Sequence, residues 1–273
     1  MALQVKLTEW FDELEEWIYN IDDKFDGFLD KTYKNIHGMH FGTVGLLIYA
    51  LSTLIAVLLY LSVDSSYSIF THWISHLGDG PNGANIVFNI GWIISSGILL
   101  FFLVHEIREL RKKGAIELIL DTMLLAAVAF SAGLLLVGLF PLHLGIPHTV
   151  AATFYFIGGF TYFLLYGIIL LTIPVGGKIR SFFAFITVAC HLLYFLSPII
   201  TIYTVQIGIT MNFLEWMVLI SEVSVLLVML SYYYINKVQE RKINEFKVKA
   251  KSWIKNDWTY KNELVEYIEL FYK

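Results

Sequence analysis

The chain of 273 residues contains six long apolar runs, and these runs constrain its fold more than any other feature of the sequence. The hydrocarbon core of a bilayer is about 30 Å thick, which a helix of roughly 20 residues crosses. Each run reaches that length, and 57% of the residues are hydrophobic whereas only 15% are charged. The runs are Phe41–Val63, Ala84–Glu106, Ala115–Phe140, His148–Ile173, Ser181–Val205 and Met211–Ile235.

The same runs decide the class of fold. A bilayer interior offers no water to backbone amides, so each span has to satisfy its own hydrogen bonds, which a continuous helix does. The sequence therefore predicts an all-α, polytopic membrane protein with a bundle of six transmembrane helices over residues 41–235. Walker, HExxH, GxSxG and paired-cysteine motifs do not occur, and nothing in the sequence indicates a nucleic-acid partner.

The positions of Lys and Arg predict how the bundle is oriented, because short cytoplasmic loops retain basic residues and translocated loops lack them. Basic residues follow the second and fourth spans, namely Arg108, Arg111, Lys112, Lys113, Lys178 and Arg180. The three alternate loops, near residues 64–83, 141–147 and 206–210, contain no Lys or Arg. We therefore expect a cell-membrane protein with both termini in the cytoplasm and the loop 64–83 outside.

The two ends of the chain are predicted to form amphipathic cytoplasmic helices. Residues 1–40 are acidic, residues 236–273 begin with a basic stretch, and both have apolar side chains at helical spacing. The N-terminal apolar seam consists of Leu7, Phe11, Leu14, Ile18, Ile21, Phe25 and Phe28. Opposite charge suggests that the two helices pack together, within one chain or between two copies of a homo-oligomer. The alternative is a C-terminal helix lying on anionic headgroups.

The segment Ile74–Gly91 is rich in glycine and asparagine and leads directly into the second span. A second polar cluster, Pro141–His148, is predicted on the same side of the membrane. Asn89 lies about one turn inside the span, where an unbonded amide is costly, so we expect it to bond the loop backbone or His148. The candidate ligand-binding residues are Ser75, His76, Asp79, Asn85, Asn89 and His148. The alternative is that these residues only lock helices together.

These polar residues also carry a family resemblance. The pattern consists of Ile74, Ser75, Leu77, Gly78, Pro81, Phe88, Asn89, Gly138, Phe140, Pro141, His148 and Phe154. It resembles an uncharacterised family of six-span membrane proteins common in archaea and bacteria. More distantly, it is similar to the damage-regulated autophagy modulator proteins and to the lipid-remodelling factor that acts after GPI-anchor attachment. The resemblance implies a six-helix fold with its polar signature on the non-cytoplasmic side, and it implies no reaction.

Histidines of the outer loops raise the question of catalysis and of metal binding. His148, His76 and Asp79 are the candidates for acid, base or metal ligand in a lipid hydrolase or acyl-group transferase. His72, His76 and His148 are ligand types that zinc accepts. The spacing favours solvated loop histidines over a zinc site, so we expect no cofactor.

Polar residues within the spans form a second group of candidates, since intramembrane carboxylates are costly and mark function by default. They are His191, Glu215 and Glu222. His191 lies at a depth that makes it a plausible partner of Glu222, whereas Glu215 lies near the outer surface. Their contact is interpreted as a helix-to-helix hydrogen bond or as part of a proton-coupled transporter. Asp121 is expected to pair with a basic loop residue such as Lys113 or Arg180.

Together these patterns predict a protein that binds, senses or regulates membrane lipids through an outward-facing polar pocket, without catalysis. The pocket is expected to form from the first outer loop, Asn89 and the turn at Pro147–His148. Free amides at the start of the fourth span would suit headgroup phosphates there. The alternatives are a membrane-embedded lipid hydrolase or acyl-group transferase, and a small-solute or proton-coupled transporter that uses Glu222 and His191.

Overall fold

Six helices make up most of the computed structural model, which describes residues 26–172, 177–199 and 210–256, with side chains described to residue 245. They are α1 (Gly38–Leu61), α2 (Ala84–Lys112), α3 (Glu117–Leu139), α4 (Ile146–Thr172), α5 (Lys178–Phe195) and α6 (Met211–Asn256). All six are long and apolar enough to cross a membrane, with α6 counted from Met211 to Glu245. The prediction of an all-α, six-span membrane protein is confirmed.

The helix bounds differ from the predicted spans at three of the helices. Helix α2 continues past the predicted end at Glu106 to Lys112. Helix α5 ends at Phe195, and the predicted remainder of that span continues through residues 197–199 into a stretch outside the described residues. Helix α6 continues past residue 235, so the predicted basic helix over residues 236–273 begins as its extension. The chain divides into two compact units, Met1–Leu226 and Leu227–Lys273, and α6 contributes to both.

The predicted N-terminal seam lies almost entirely outside the described residues, as do the side chains of residues 246–273. Residues 26–35 are helical. Of the seam, Phe28 is 52% exposed in the structure, whereas its neighbour Leu29 is 2% exposed. The described turn of this helix therefore buries a position beside the predicted seam.

Helices α3 and α4 approach each other closely through two glycines. A Cβ atom at Gly133 would lie 2.2 Å from the backbone nitrogen of Tyr155, and one at Gly158 would lie 2.3 Å from that of Phe130. No other residue type fits at these positions without moving a backbone. This approach fixes the depth at which Tyr155 lies beside the centre of the bundle.

One end of the first unit, which we call the basic end, contains residues 106–121 and 178–180. Arg111 bonds Glu117 at 2.8 Å and Asp121 at 3.2 Å. The expected partners of Asp121, Lys113 and Arg180, were wrong, because Arg111 lies nearer across the short turn. The prediction of a basic loop partner was otherwise right.

The opposite end, which we call the loop face, contains the two connections at residues 62–83 and 140–145. Each connection includes a short 3₁₀ helix, Ile74–Asp79 in the first and Leu142–Leu144 in the second. The first connection turns into α2 through Asn82 and Gly83, which have φ values of 55° and 81°. The loop face is the part of the structure that holds the predicted ligand-binding residues.

Candidate functional site

Residues 62–83 form a roof over the loop face, and hydrogen bonds attach this roof to the start of α6. The backbone N–H of Ile74 donates to Glu215 Oε2 at 2.8 Å. The indole Nε1 of Trp216 donates to the carbonyl oxygen of His72 at 3.0 Å. Sequence reasoning placed Glu215 near this surface but did not identify its partner.

Further bonds attach the roof to α2 and to the second connection. Asn89 Nδ2 donates to the carbonyl oxygen of Gly78 at 3.0 Å, which confirms the predicted bond to the loop backbone. A Cβ atom at Gly78 would lie only 3.0 Å from Asn89 Oδ1, so glycine permits this close contact. Asp79 accepts from the backbone N–H of His143 at 2.8 Å and from His143 Nδ1 at 2.6 Å.

Beneath the roof lies a small cavity, which we call the loop-side pocket. Its volume is about 20 Å³, which is room for roughly one water molecule. Apolar and aromatic side chains form most of its wall, and four polar side chains join them. The lining residues are Ile74, Ser75, Phe88, Trp92, Val137, His148, Ala152, Tyr155, Phe156 and Glu215.

The hydrogen bonds and ion pairs of two polar lining residues, His148 and Glu215, show which of their atoms could bind a ligand. His148 Nδ1 donates to the carbonyl oxygen of Phe140 at 2.8 Å, so any bond from His148 to a ligand has to use Nε2. Glu215 is 8% exposed, and it forms no ion pair with any side chain in the described part of the chain. The pocket therefore combines a carboxyl group with an imidazole nitrogen.

Deeper in the bundle, four side chains from four helices form what we call the central cluster, namely Tyr49, Tyr155, His191 and Glu222. Glu222 Oε2 accepts a short hydrogen bond from the Tyr155 hydroxyl and a second from the Tyr49 hydroxyl at 3.2 Å. The two hydroxyl oxygens lie 2.8 Å apart. His191 Nε2 lies 3.3 Å from Glu222 Oε1, and both side chains are fully buried. The predicted pairing of Glu222 with His191 is confirmed.

The second ring nitrogen of His191 defines its tautomer. Nδ1 lies 2.8 Å from the carbonyl oxygen of Thr187, and a carbonyl can only accept, so Nδ1 carries a hydrogen. Nε2 and Glu222 Oε1 are both buried and lack an ordinary hydrogen-bond partner. They face Gly159, where a Cβ atom would lie 3.0 Å from each of them.

The three catalytic candidates bond separate partners. His76 Nδ1 accepts from the backbone N–H of Trp73 at 2.8 Å, Asp79 pairs with His143, and His148 bonds Phe140. Burial, followed by the charge of His72, lowers the pKa of His76 below its usual value. These contacts assign His76 and Asp79 to the roof.

The remaining candidates also separate into roof and pocket residues. Ser75 and His148 line the loop-side pocket, whereas His76, Asp79, Asn85 and Asn89 do not. Within residues 26–172, 177–199 and 210–245, no three His, Cys, Asp or Glu side chains are grouped so that they could hold a metal ion. His72 and His76 have ring centres 5.4 Å apart.

Sequence reasoning missed Tyr49, Tyr155 and Trp92. Both tyrosines lie within apolar spans, and a buried phenolic hydroxyl generally requires a partner. That requirement was the signal available in the sequence, but it does not say which helix supplies the partner.

Comparison with known proteins gives one family and no individual relative. No curated protein and no solved structure matches the chain. The family DUF998, described as proteins of unknown function, matches residues 43–233, which include the roof, the loop-side pocket and the central cluster. The chain is therefore a multi-pass membrane protein that belongs to the DUF998 family of unknown function.

Proposed function

We propose that this protein binds the polar head of a membrane lipid in the loop-side pocket, without catalysis. The observation that carries the proposal is the convergence of Ser75, His148, Tyr155 and Glu215 on a cavity with an otherwise apolar and aromatic wall. Ligand sites commonly combine such a wall with a few placed polar groups. The resemblance to autophagy-modulator and lipid-remodelling membrane proteins agrees with this role as an analogy only.

The charge around the pocket favours a cationic, hydrogen-bond-donating head. Glu215 supplies a carboxyl group with no ion-pair partner among the described residues, and residues 64–83 and 141–147 contain no Lys or Arg. A buried carboxyl group without an ion-pair partner is more easily ionised when a cation binds beside it, so the pocket favours a cationic ligand over an anionic one. A primary ammonium group could donate to Glu215 and to His148 Nε2. An aminolipid head therefore fits better than the phosphate suggested by the start of α4 alone.

The size of the pocket adds a condition. A volume of about 20 Å³ holds roughly one water molecule and cannot hold an ammonium head with its linker. Lipid binding on this proposal requires the roof to move away from α6 and α2. The bonds from Ile74 to Glu215 and from Asn89 to Gly78 would then break or lengthen. The position of the roof would report lipid occupancy, which is a sensing role.

The membrane arrangement is part of the proposal. The basic residues at the end opposite the loop face support a cell-membrane protein with cytoplasmic termini and an outward loop face. The organisation into an acidic segment over residues 1–40, a bundle over 41–235 and a basic segment over 236–273 supports a homo-oligomer held by its terminal helices. Membrane lipids are the proposed partners.

A lipid titration of the purified full chain in detergent tests the proposal, with binding followed by native mass spectrometry. The probes are short-chain phosphatidylethanolamine, which has N–H donors, and short-chain phosphatidylcholine, which has none. We expect the first to bind more tightly. Glu215→Gln should weaken its binding about tenfold, because a hydrogen bond to a charged group contributes roughly 1.5 kcal/mol or more.

Glu109→Gln is the matched control, because Glu109 lies at the basic end, where it pairs with Lys112 at 2.7 Å. It should bind phosphatidylethanolamine like the unchanged protein. Equal binding of the two lipids, or equal affinity of the two Gln variants, would overturn the proposal.

A further inference from the structure

We infer that Glu222 and His191 form a one-proton binding site that exchanges its proton with the loop-side pocket through Tyr155. The inference goes beyond the proposed lipid role, since its ligand is a proton and its argument needs no lipid. It depends on where the hydrogens of the central cluster lie. It also depends on Tyr155, which belongs to the central cluster and lines the loop-side pocket.

The number of protons follows from the available donors and acceptors. His191 Nδ1 uses its hydrogen on Thr187, and the two tyrosine hydroxyls use theirs within the cluster or on Glu222 Oε2. Neither hydroxyl donates a hydrogen bond to His191 Nε2 or to Glu222 Oε1, which lie 3.3 Å apart. One further proton in this gap bonds both atoms and makes the pair neutral overall, whether it lies on nitrogen or on oxygen.

Any other proton count is costly at this depth. Without the shared proton, a carboxylate would face the lone pair of a neutral imidazole, and the cluster would carry one negative charge. With a second proton, it would carry one positive charge. Both side chains are fully buried, and a buried charge without a partner is strongly unfavourable. The structure therefore favours a single bound proton at rest.

Among the residues that the structure describes, the pair has no Lys or Arg partner in place of this proton. No Lys or Arg forms an ion pair with Glu222 in the described part of the chain. Helix α2 contributes Trp92, whose ring packs on Tyr49 and Tyr155 with centroid distances of 5.3 and 5.6 Å. The titratable groups around the pair are Tyr49 from α1, Tyr155 from α4, Cys190 from α5 and Glu215 from α6.

Tyr155 connects the pair to the pocket, because it lines the pocket and its hydroxyl bonds Glu222 Oε2. The pocket has room for roughly one water molecule. In the outward step, the carboxyl group of Glu222 turns to present its proton at the Oε2 position. Tyr155 then passes its own hydroxyl proton to the pocket water and takes the Glu222 proton onto its oxygen. Tyr155 ends neutral, Glu222 ends ionised, and the water becomes hydronium.

The consequence is a proton site with access from the loop face. Acidification on that side fills the site and makes the cluster neutral, and proton release leaves a negative charge that a cation in the pocket would stabilise. The pair would therefore couple pH at the loop face to the occupancy of the pocket.

The test uses the full chain reconstituted in phosphatidylcholine vesicles, with ¹⁵N-labelled histidine followed by NMR and carboxyl protonation followed by pH-difference infrared spectroscopy. His191→Gln identifies the His191 signals, and Glu222→Gln identifies the Glu222 band. We expect His191 Nδ1 to stay protonated across the titration. We expect Nε2 and the Glu222 band to change together in one step.

Tyr155→Phe tests the route, because phenylalanine keeps the ring and removes the hydroxyl. It should slow proton exchange after a pH jump by about a hundredfold, the lower end of what a positioned proton-transfer group contributes. Tyr162→Phe is the matched control, since Tyr162 lies two turns along α4 and bonds the Leu103 carbonyl oxygen at 3.4 Å. It should exchange like the unchanged protein.

Two results would overturn the inference. One is independent titration of His191 and Glu222 in the unchanged protein. The other is equal exchange rates for Tyr155→Phe and Tyr162→Phe. These measurements contain no phosphatidylethanolamine, so a failed phosphatidylethanolamine titration would refute the proposed lipid role without deciding the proton-site inference.

Discussion

Two buried carboxyl groups, Glu106 at the basic end and Glu222 in the central cluster, have similar neighbours but differ in the basic residue that each one faces. Each accepts from a tyrosine of α4, Glu106 from Tyr166 at 3.3 Å and Glu222 from Tyr155. Glu106 lies 3.9 Å from Arg180, whereas Glu222 faces His191. The same helix therefore serves two carboxyl groups in the two halves of the bundle.

The two basic residues, an arginine and a histidine, differ in whether they can lose a proton, and this decides what each pair can do. Arginine stays charged at every relevant pH, so Arg180 presents a permanent cation to Glu106 and connects α5 with α2. An imidazole exists with or without its second hydrogen, so the Glu222–His191 pair is able to hold different numbers of protons. We therefore assign a structural role to the first pair and the proton-binding role to the second.

Arg180→Gln should have the largest effect on stability. It leaves Glu106 buried without its ion-pair partner, and breaking a buried pair in this way costs about 3–5 kcal/mol. The double change Glu106→Gln with Arg180→Gln should recover most of that loss, because no unpaired charge remains. Thermal unfolding in detergent measures both. A double variant as unstable as Arg180→Gln would contradict the fixed-pair assignment.

Gly158→Ala should have the next largest effect, because both carboxyl groups depend on the position of α4. The added methyl group would meet the backbone of Phe130, and overpacking of this kind costs about 1–3 kcal/mol. Gly97→Ala is the control, since nothing lies within 4 Å of a Cβ atom at that position of α2. Equal unfolding temperatures for the two variants would contradict the close approach of α3 and α4.

His191→Gln should cost less than Arg180→Gln, because Glu222 is able to keep a proton when its partner is lost. The expected loss is about 0.6–2 kcal/mol, the range for a hydrogen bond between membrane helices. The same thermal unfolding experiment compares the two substitutions directly. If His191→Gln were the more damaging change, the contrast between a fixed pair and a titratable pair would fail.

Asn89→Ala should loosen the roof with a smaller effect on the bundle. It removes the bond to the Gly78 carbonyl oxygen, which contributes about 1 kcal/mol. Hydrogen–deuterium exchange should rise in residues 74–80 and stay unchanged at the basic end. Asn85→Ala, one turn earlier on α2, is the control and should leave exchange in the roof unchanged.

Low pH should produce the smallest effect, again in the roof. Burial lowers the pKa of His76 in the folded protein, so the unfolded chain binds a proton more readily. The contribution of neutral His76 is therefore present above its unfolded pKa of about 6.5 and is lost as the pH falls below that value. Exchange of residues 74–80 should increase between pH 7 and pH 5. His76→Gln should remove that increase, and an increase that persists in this variant would contradict the role of His76.

Much of the fold was predictable because the bilayer imposes a simple length and polarity rule on each span. The bond from Asn89 to the loop backbone and the pairing of Glu222 with His191 followed from depth, since a polar group in an apolar span needs a partner at its own level. For Asp121, the prediction from its depth in the span named the wrong basic residues. Arg111 lies one short turn away, and the sequence does not indicate which of several neighbouring basic side chains bends back.

The sequence by itself determined the six spans, the polarity of the loops and the short list of buried groups that need partners. Only the tertiary structure decided that Tyr155 lies both at the pocket and beside Glu222, and that Glu215 accepts a bond from the roof. The physical reason is that hydrophobicity reports how deep a residue lies but not which way it faces. Rotation of each helix about its axis is set by packing, and here the close contacts of Gly133 and Gly158 fix that rotation for α4.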